Sequence, residues 1–143
     1  MTSRAAAVAK TVAERMLVRP GSRLYLSHPE RRGLLGPLPD GVTLVDGPEQ
    51  AATAVLFADD GFALRGLLAA CGEALLTGPG VLWVAYPRAG NRADINRDTL
   101  WPVVAERGLR PIAQVAVNDV WSALRFRPLR SGEEPFAAGA ARR

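Results

Sequence analysis

The sequence predicts a small α/β domain built on one mixed sheet. The sheet is mostly parallel, carries an antiparallel hairpin at its C-terminal end, and has helices on its faces. Three observations predict it. VLWVAY, residues 81–86, is a continuous apolar run, as expected of a strand buried on both faces of a parallel sheet. Strand-like and helical segments alternate over 20–128, the order that βαβ units require. The stretch QVAVNDVWSALRFRP, 114–128, reads as two strands joined at the turn-prone pair Asn118-Asp119.

Each element has its own signal. Residues 3–17 predict a helix that packs on the domain as a separate N-terminal piece, 1–19. Ser3 is a fair N-cap, the alanines of 5–9 favour helix, and Ala9, Val12, Met16 and Leu17 form a partial apolar stripe. Pro20 ends it by pushing Arg19 out of the helical region. Strands follow at 23–27, 42–45 and 54–58, and 29–41, with three glycines and three prolines, reads as a loop. The longest helix is expected over 62–76, where Leu64, Leu67, Leu68, Cys71 and Leu75 repeat at core-facing spacing. Asp59 or Asp60 caps its start, and Gly78-Pro79-Gly80 stops it. After a polar loop, a helix starting near Asp98 or Thr99 would put Pro102 in its first turn, where no N–H is needed. The closing strands span 112–117 and 121–127. The tail, 129–143, has no apolar period and is expected to be mobile.

Composition bounds the function. A chain of 143 residues with 48% hydrophobic and 22% charged content is an ordinary single globule, able to bury roughly 70% of its unfolded surface. No apolar run approaches the ~20 residues that span a bilayer, which argues against a membrane partner. The N-terminus lacks the uninterrupted apolar segment of a signal peptide, so a cytoplasmic location is expected. Cys71 is the single cysteine, which excludes an internal disulfide; within LRGLLAACGEALL it reads as a small buried hydrophobe. The formal charge of +4 invites a nucleic-acid reading. Against it, Lys10 is the one lysine among 18 basic residues and the arginines are spread along the chain without clustering.

Taken in order, the elements resemble a shortened class I methyltransferase-like, or Rossmann-like, fold, in which a parallel sheet is finished by an antiparallel hairpin. A closer resemblance is to a family of small bacterial proteins of unknown function. It is carried by Leu82-Trp83-Val84, Tyr86-Pro87, Arg88, Asn96-Arg97-Asp98, Trp101, residues 114–117 and residues 121–128. That resemblance implies a fold and no activity. Working methyltransferases place a glycine-rich turn after the first strand and an acidic residue after the second. Here the first strand runs into Ser27-His28-Pro29-Glu30-Arg31-Arg32-Gly33, and Gly33, Gly36 and Gly41 lie too far along for a tight turn. Asp46 stands where a ribose-binding carboxylate would be, although Asp46-Gly47 also reads as a turn. No cofactor is therefore expected.

The candidate site residues cluster at the predicted carboxyl edge, where open α/β sheets take ligands. His28 ends the first strand and is the one histidine, a candidate base near neutral pH. Tyr86 and Arg88 end the longest buried strand. Arg88, Arg92 and Arg97 could clamp an anion, with Asp94 and Asp98 as alternative internal partners. Arg125 and Arg127 share one face of the last strand; they could hold an anion, Arg125 being a ligand-binding candidate, but the favoured expectation is that they reach back to Asp94 and Asp98. No catalytic residue is assigned. One His and one Cys cannot make a metal site, and no G-x-S-x-G turn or phosphate-binding loop is present. The expected function is a non-catalytic, degenerate methyltransferase-like protein that binds a small anionic ligand or a protein partner. The alternatives are an S-adenosylmethionine-dependent methyltransferase with an atypical loop and a nucleic-acid accessory protein. An unpaired sheet edge also leaves room for a homodimer.

Overall fold

The computed structural model describes residues 10–88 and 96–133, with Arg97 described by its backbone alone. The elements are α1 (Val12–Arg15), β1 (Arg23–Leu26), a 3-10 helix (Pro29–Leu35), β2 (Thr43–Val45), a 3-10 turn (Pro48–Gln50), β3 (Thr53–Phe57), α2 (Gly61–Cys71), α3 (Ala74–Thr77), β4 (Val81–Pro87), α4 (Arg97–Ala105), β5 (Leu109–Ala116) and β6 (Trp121–Pro128).

Six strands form one sheet in the order β2-β1-β3-β4-β6-β5. Strands β1 to β4 are mutually parallel, while β6 runs antiparallel to both β4 and β5. The expected mixed sheet with its C-terminal antiparallel hairpin is thus observed. From β1 the chain moves outward to β2, then returns to add β3 on the other side of β1. That reversal puts a topological switch point at the carboxyl ends of β1 and β3.

Alternate side chains of the central strands feed two cores. On one face Leu82, Val84, Tyr86, Leu124 and Phe126 pack under Leu64 and Leu68 of α2, Leu75 of α3, and Leu100 and Val104 of α4. On the other, Val55, Phe57, Trp83 and Ala123 meet Ala13 and Met16 of α1 and Leu35 of the 3-10 helix. Trp83 Nε1 donates to the Met16 carbonyl at 2.8 Å, which satisfies the indole inside that core.

Several elements differ from expectation for local reasons. Within the described part of the predicted 3–17 helix, a single turn forms. Its cap is Thr11, whose hydroxyl accepts the Glu14 N–H while Glu14 accepts the Thr11 N–H; the proposed Ser3 cap lies outside the described residues. The turn ends before Pro20 because Leu17 takes a left-handed backbone, φ 67°, and Val18 N–H returns to the Ala13 carbonyl at 3.0 Å. A branched residue there costs about 1–2 kcal/mol more than glycine.

The predicted 62–76 helix is two helices, because Gly72 at φ 56° closes α2 before α3 starts. Asp60 is the cap, its carboxylate accepting the Ala63 N–H at 2.8 Å. The expected 29–41 loop contains a seven-residue 3-10 helix begun by Pro29. Asn96 caps α4, so Pro102 falls inside the helix and not in its first turn. The cap wins because Asn96 accepts the Asp98 and Thr99 N–H groups while Thr99 accepts the Asn96 N–H. The described start of the tail is anchored as well, since Glu133 binds Arg110 and Arg127.

Gly78 is required for space alone. A Cβ there would lie 2.7 Å from Glu49 Cα and 2.8 Å from the Pro48 and Ala74 carbonyl oxygens, all backbone. Gly78→Ala is expected to lower urea-unfolding stability by about 1–3 kcal/mol. Gly66→Ala, within α2 and with nothing within 4 Å, should instead raise it by up to about 1 kcal/mol.

Candidate ligand site at the carboxyl edge

At the switch point the residues after β1 and β3 knit into one cluster. Ser27 Oγ accepts the Phe57 N–H at 2.9 Å, joining the strands where their ladder ends. The same oxygen lies 2.8 Å from His28 Nδ1. The His28 ring meets the Phe57 ring edge-on at 6.1 Å, and Phe57 meets Trp121 in the same way at 6.1 Å.

Arg31 closes the crevice. The 3-10 helix carries it back over the sheet, where both terminal nitrogens donate to the two Asp59 oxygens at 3.0 Å each. Its guanidinium carbon sits 5.4 Å from the Trp121 ring centroid and 5.8 Å from that of Phe57, within cation–π range. Asp59 is half exposed, at 50%, against 27% for Arg31. An arginine fork held by a carboxylate and backed by two aromatic rings is a ready receptor for another carboxylate or a phosphate.

The expected site residues divide among several places. His28 belongs to the crevice. Tyr86 does not: its ring is buried under α4, with its hydroxyl accepting from Gln114 Nε2 at 2.9 Å. Arg88 is exposed, and its guanidinium donates to the Asn118 carbonyl at 3.0 Å. Asp98 is exposed in the first turn of α4. Arg92 and Asp94 lie outside the described residues, as does the side chain of Arg97. Arg125 pairs across β6 with Trp83, on the opposite face from Tyr86, and among the described residues its Nε is buried without a hydrogen-bond partner.

Arg127 corrects the expectation of a bridge to Asp94 and Asp98. It binds Glu133 through both terminal nitrogens, at 2.9 and 2.7 Å, while Arg110 donates to Glu133 at 2.6 Å. The cross-strand pair Arg110↔Arg127 brings two like charges together, and the carboxylate a few residues downstream neutralises them. Arg31, Asp59 and Trp121 were not singled out as site residues. One signal was available: two consecutive aspartates precede a helix that needs one cap, so the other must find a different partner.

Cys71, expected as a small buried hydrophobe, is instead half-buried at the end of α2, packed against the core. Burial pushes its thiol above the usual range, and a hydrogen bond with Tyr25 pulls more weakly the other way. Among the described residues no group of three or more metal-ligating side chains comes together, and no helix is long and apolar enough to cross a membrane.

The fold and its switch-point edge define a Rossmann-like α/β domain of the methyltransferase type. No protein-family model and no curated sequence matches the chain. Among solved structures, it is similar to a protein of the NADB-Rossmann superfamily from Streptococcus agalactiae, at TM-score 0.54 and 14% identity over 94% of this chain and 73% of that one. It is also similar to an O-methyltransferase from neocarzinostatin biosynthesis, solved with S-adenosylmethionine and 2-hydroxy-5-methyl naphthoic acid. That match has TM-score 0.50 and 20% identity over 90% of this chain; the chain spans about half, 53%, of the enzyme. These likenesses show the fold.

Two outcomes follow from the titrating groups. Cys71 should be alkylated more slowly at neutral pH than a free cysteine, because less thiolate is present; mass-spectrometric time courses of iodoacetamide labelling read this. The Arg127 guanidinium, then the Arg130 amide and Arg110, hold the Glu133 carboxyl well below the usual range. A depressed carboxyl stabilises the fold above its unfolded value of about 4.3, and loses that stabilisation as pH falls towards the folded value. The melting difference between the parent and Glu133→Gln should therefore be largest near neutrality and shrink progressively below about pH 4.

Proposed function

We propose that this protein is a non-catalytic, degenerate methyltransferase-like domain whose carboxyl-edge crevice binds a small anionic ligand through Arg31 and His28. The observation that carries this reading is the Arg31 guanidinium, packed on Trp121 and Phe57 and held by a half-exposed Asp59. The O-methyltransferase with the similar fold was solved with S-adenosylmethionine. In a Rossmann-like domain a cofactor rests at the switch point against bare backbone. Here the 3-10 helix after β1 begins with Pro29, which has no N–H to offer, and the Arg31 guanidinium lies over Phe57 and Trp121. An incoming carboxylate or phosphate can take the place of Asp59 on the same fork, with the His28 ring packed on the same Phe57. Among the described residues no third group bonds His28 to orient it as a base for Ser27, which supports binding without turnover.

A protein partner at the same edge is the second form of this reading. Phe62, 88% exposed at the start of α2, and Val120, 47% exposed just before β6, present apolar side chains there. The nucleic-acid alternative loses support from the internal pairing of Arg31, Arg110 and Arg127 with carboxylates.

Calorimetry tests the proposal. S-adenosylmethionine should give no heat up to millimolar concentration, whereas micromolar binding would be worth about 8 kcal/mol and plainly visible. In a thermal-shift screen of phosphorylated and carboxylated metabolites, stabilising anions should lose their effect with Arg31→Ala. They should gain effect with Asp59→Asn, which removes the competing carboxylate. Heat with S-adenosylmethionine, or methyl transfer from it, would overturn the reading.

A further inference from the structure

The opposite, amino-terminal edge of the sheet carries a second concavity. Its volume is about 280 Å³. Ser22 leads into β1, Thr53 opens β3, and Gly80 and Val81 open β4; Leu17 and Arg19 complete the wall from the segment after α1.

Leu17 is the informative residue. It occupies the left-handed position that closes α1, where glycine fits without strain. Core packing does not explain a leucine here, because Leu17 is 38% exposed while its neighbours Met16 and Val18 are buried. Strained backbone retained at a concave surface points to a function for the side chain it presents. The rest of the wall is complementary. Arg19 is exposed and makes no ion pair among the described residues. Thr53 is a buried polar residue, 2% exposed. The segment is also held in place: Ser22 Oγ donates to the Arg19 carbonyl at 2.7 Å and Gly21 N–H to the Asp40 carbonyl at 2.8 Å.

We propose that this cleft binds a small amphipathic carboxylate, its alkyl chain against Leu17 and Val81 and its carboxylate on Arg19. The proposal is independent of the carboxyl-edge reading, since the two sites lie at opposite ends of the strands.

Amide chemical shifts of the isotopically labelled full chain, titrated with hexanoate, test it. Hexanoate should move the amides of Leu17, Ala52, Thr53, Gly80 and Val81 and leave those of Ser27, Arg31 and Asp59 in place. Acetate, lacking the chain, and hexanol, lacking the charge, should each bind at least tenfold more weakly. Leu17→Gly should melt at or above the parent temperature while losing at least tenfold in hexanoate affinity. Arg19→Gln should melt like the parent and bind hexanoate no better than hexanol. Parental hexanoate affinity in Leu17→Gly, equal affinity for hexanoate and hexanol, or shifts centred on Arg31 would each overturn the assignment. An adventitious additive only, shifting both edges alike without saturating, would overturn it too.

Discussion

Strand β4 has no water to fall back on. All its residues from Leu82 to Pro87 are buried, so its amides and carbonyls must be satisfied by the neighbouring strands. Strand β3 supplies one side in parallel register and β6 the other in antiparallel register. The antiparallel choice matters beyond the ladder. It starts β6 at the carboxyl edge, where Trp121 pairs with Pro87. Trp121 thereby comes to lie against Phe57 and under Arg31, with β3 and β4 between its strand and β1. A one-residue slip of β6 would send Trp121 to the other face, exchange Phe126 for Arg125 in a core, and dismantle the crevice and both cores together.

Three arginines among the described residues are partners for the chain's own carboxylates. Arg31 takes Asp59; Arg110 and Arg127 share Glu133. Part-exposed pairs of this kind contribute little stability individually. Their effect is geometric: a planar fork fixes two distant segments at one orientation. Arg31–Asp59 thereby fixes the segment after β1 against the end of β3, and Glu133 fixes the chain after β6 back onto the β5–β6 pair.

What could be read from the sequence was whatever depends on apolar period and strand length. The buried β4, the stripe on α2, the terminal hairpin and the mixed sheet all follow from burial, and burial leaves a pattern. Cap competition does not leave one so plainly. Thr11 with Glu14 and Asn96 with Thr99 each win by reciprocal hydrogen bonds, and these moved a helix start and placed Pro102 inside α4. The site was half legible. His28 was singled out because it follows a strand at the edge where open α/β sheets take ligands. Arg31 was not, because its role depends on Asp59, 28 residues away, and on Trp121, 90 away; strand order alone makes those neighbours. The same order separates Tyr86 and Arg125, which sequence reasoning had grouped and the sheet puts on opposite faces.

A glycine-rich turn serves a cofactor by what it lacks: with no side chains, backbone N–H groups approach the ligand directly. The segment after β1 here inverts that arrangement. Pro29 withdraws a donor, the 3-10 turns direct the N–H groups of Arg31 and Gly36 back to the His28 and Gly33 carbonyls, and a guanidinium projects where bare backbone would be. In the proposed reading, side-chain recognition takes the place of backbone recognition at the same topological position. The chemistry selected changes with it, because a fork of N–H donors favours a compact, doubly accepting anion over an extended adenosyl group. Asp59 is such an anion, supplied by the chain itself. Its half exposure leaves it replaceable, whereas Phe57 beneath is fixed in the core and Trp121 is held by its pairing with β4. The rigid part of the crevice is therefore its aromatic floor, and the exchangeable part is the carboxylate on top.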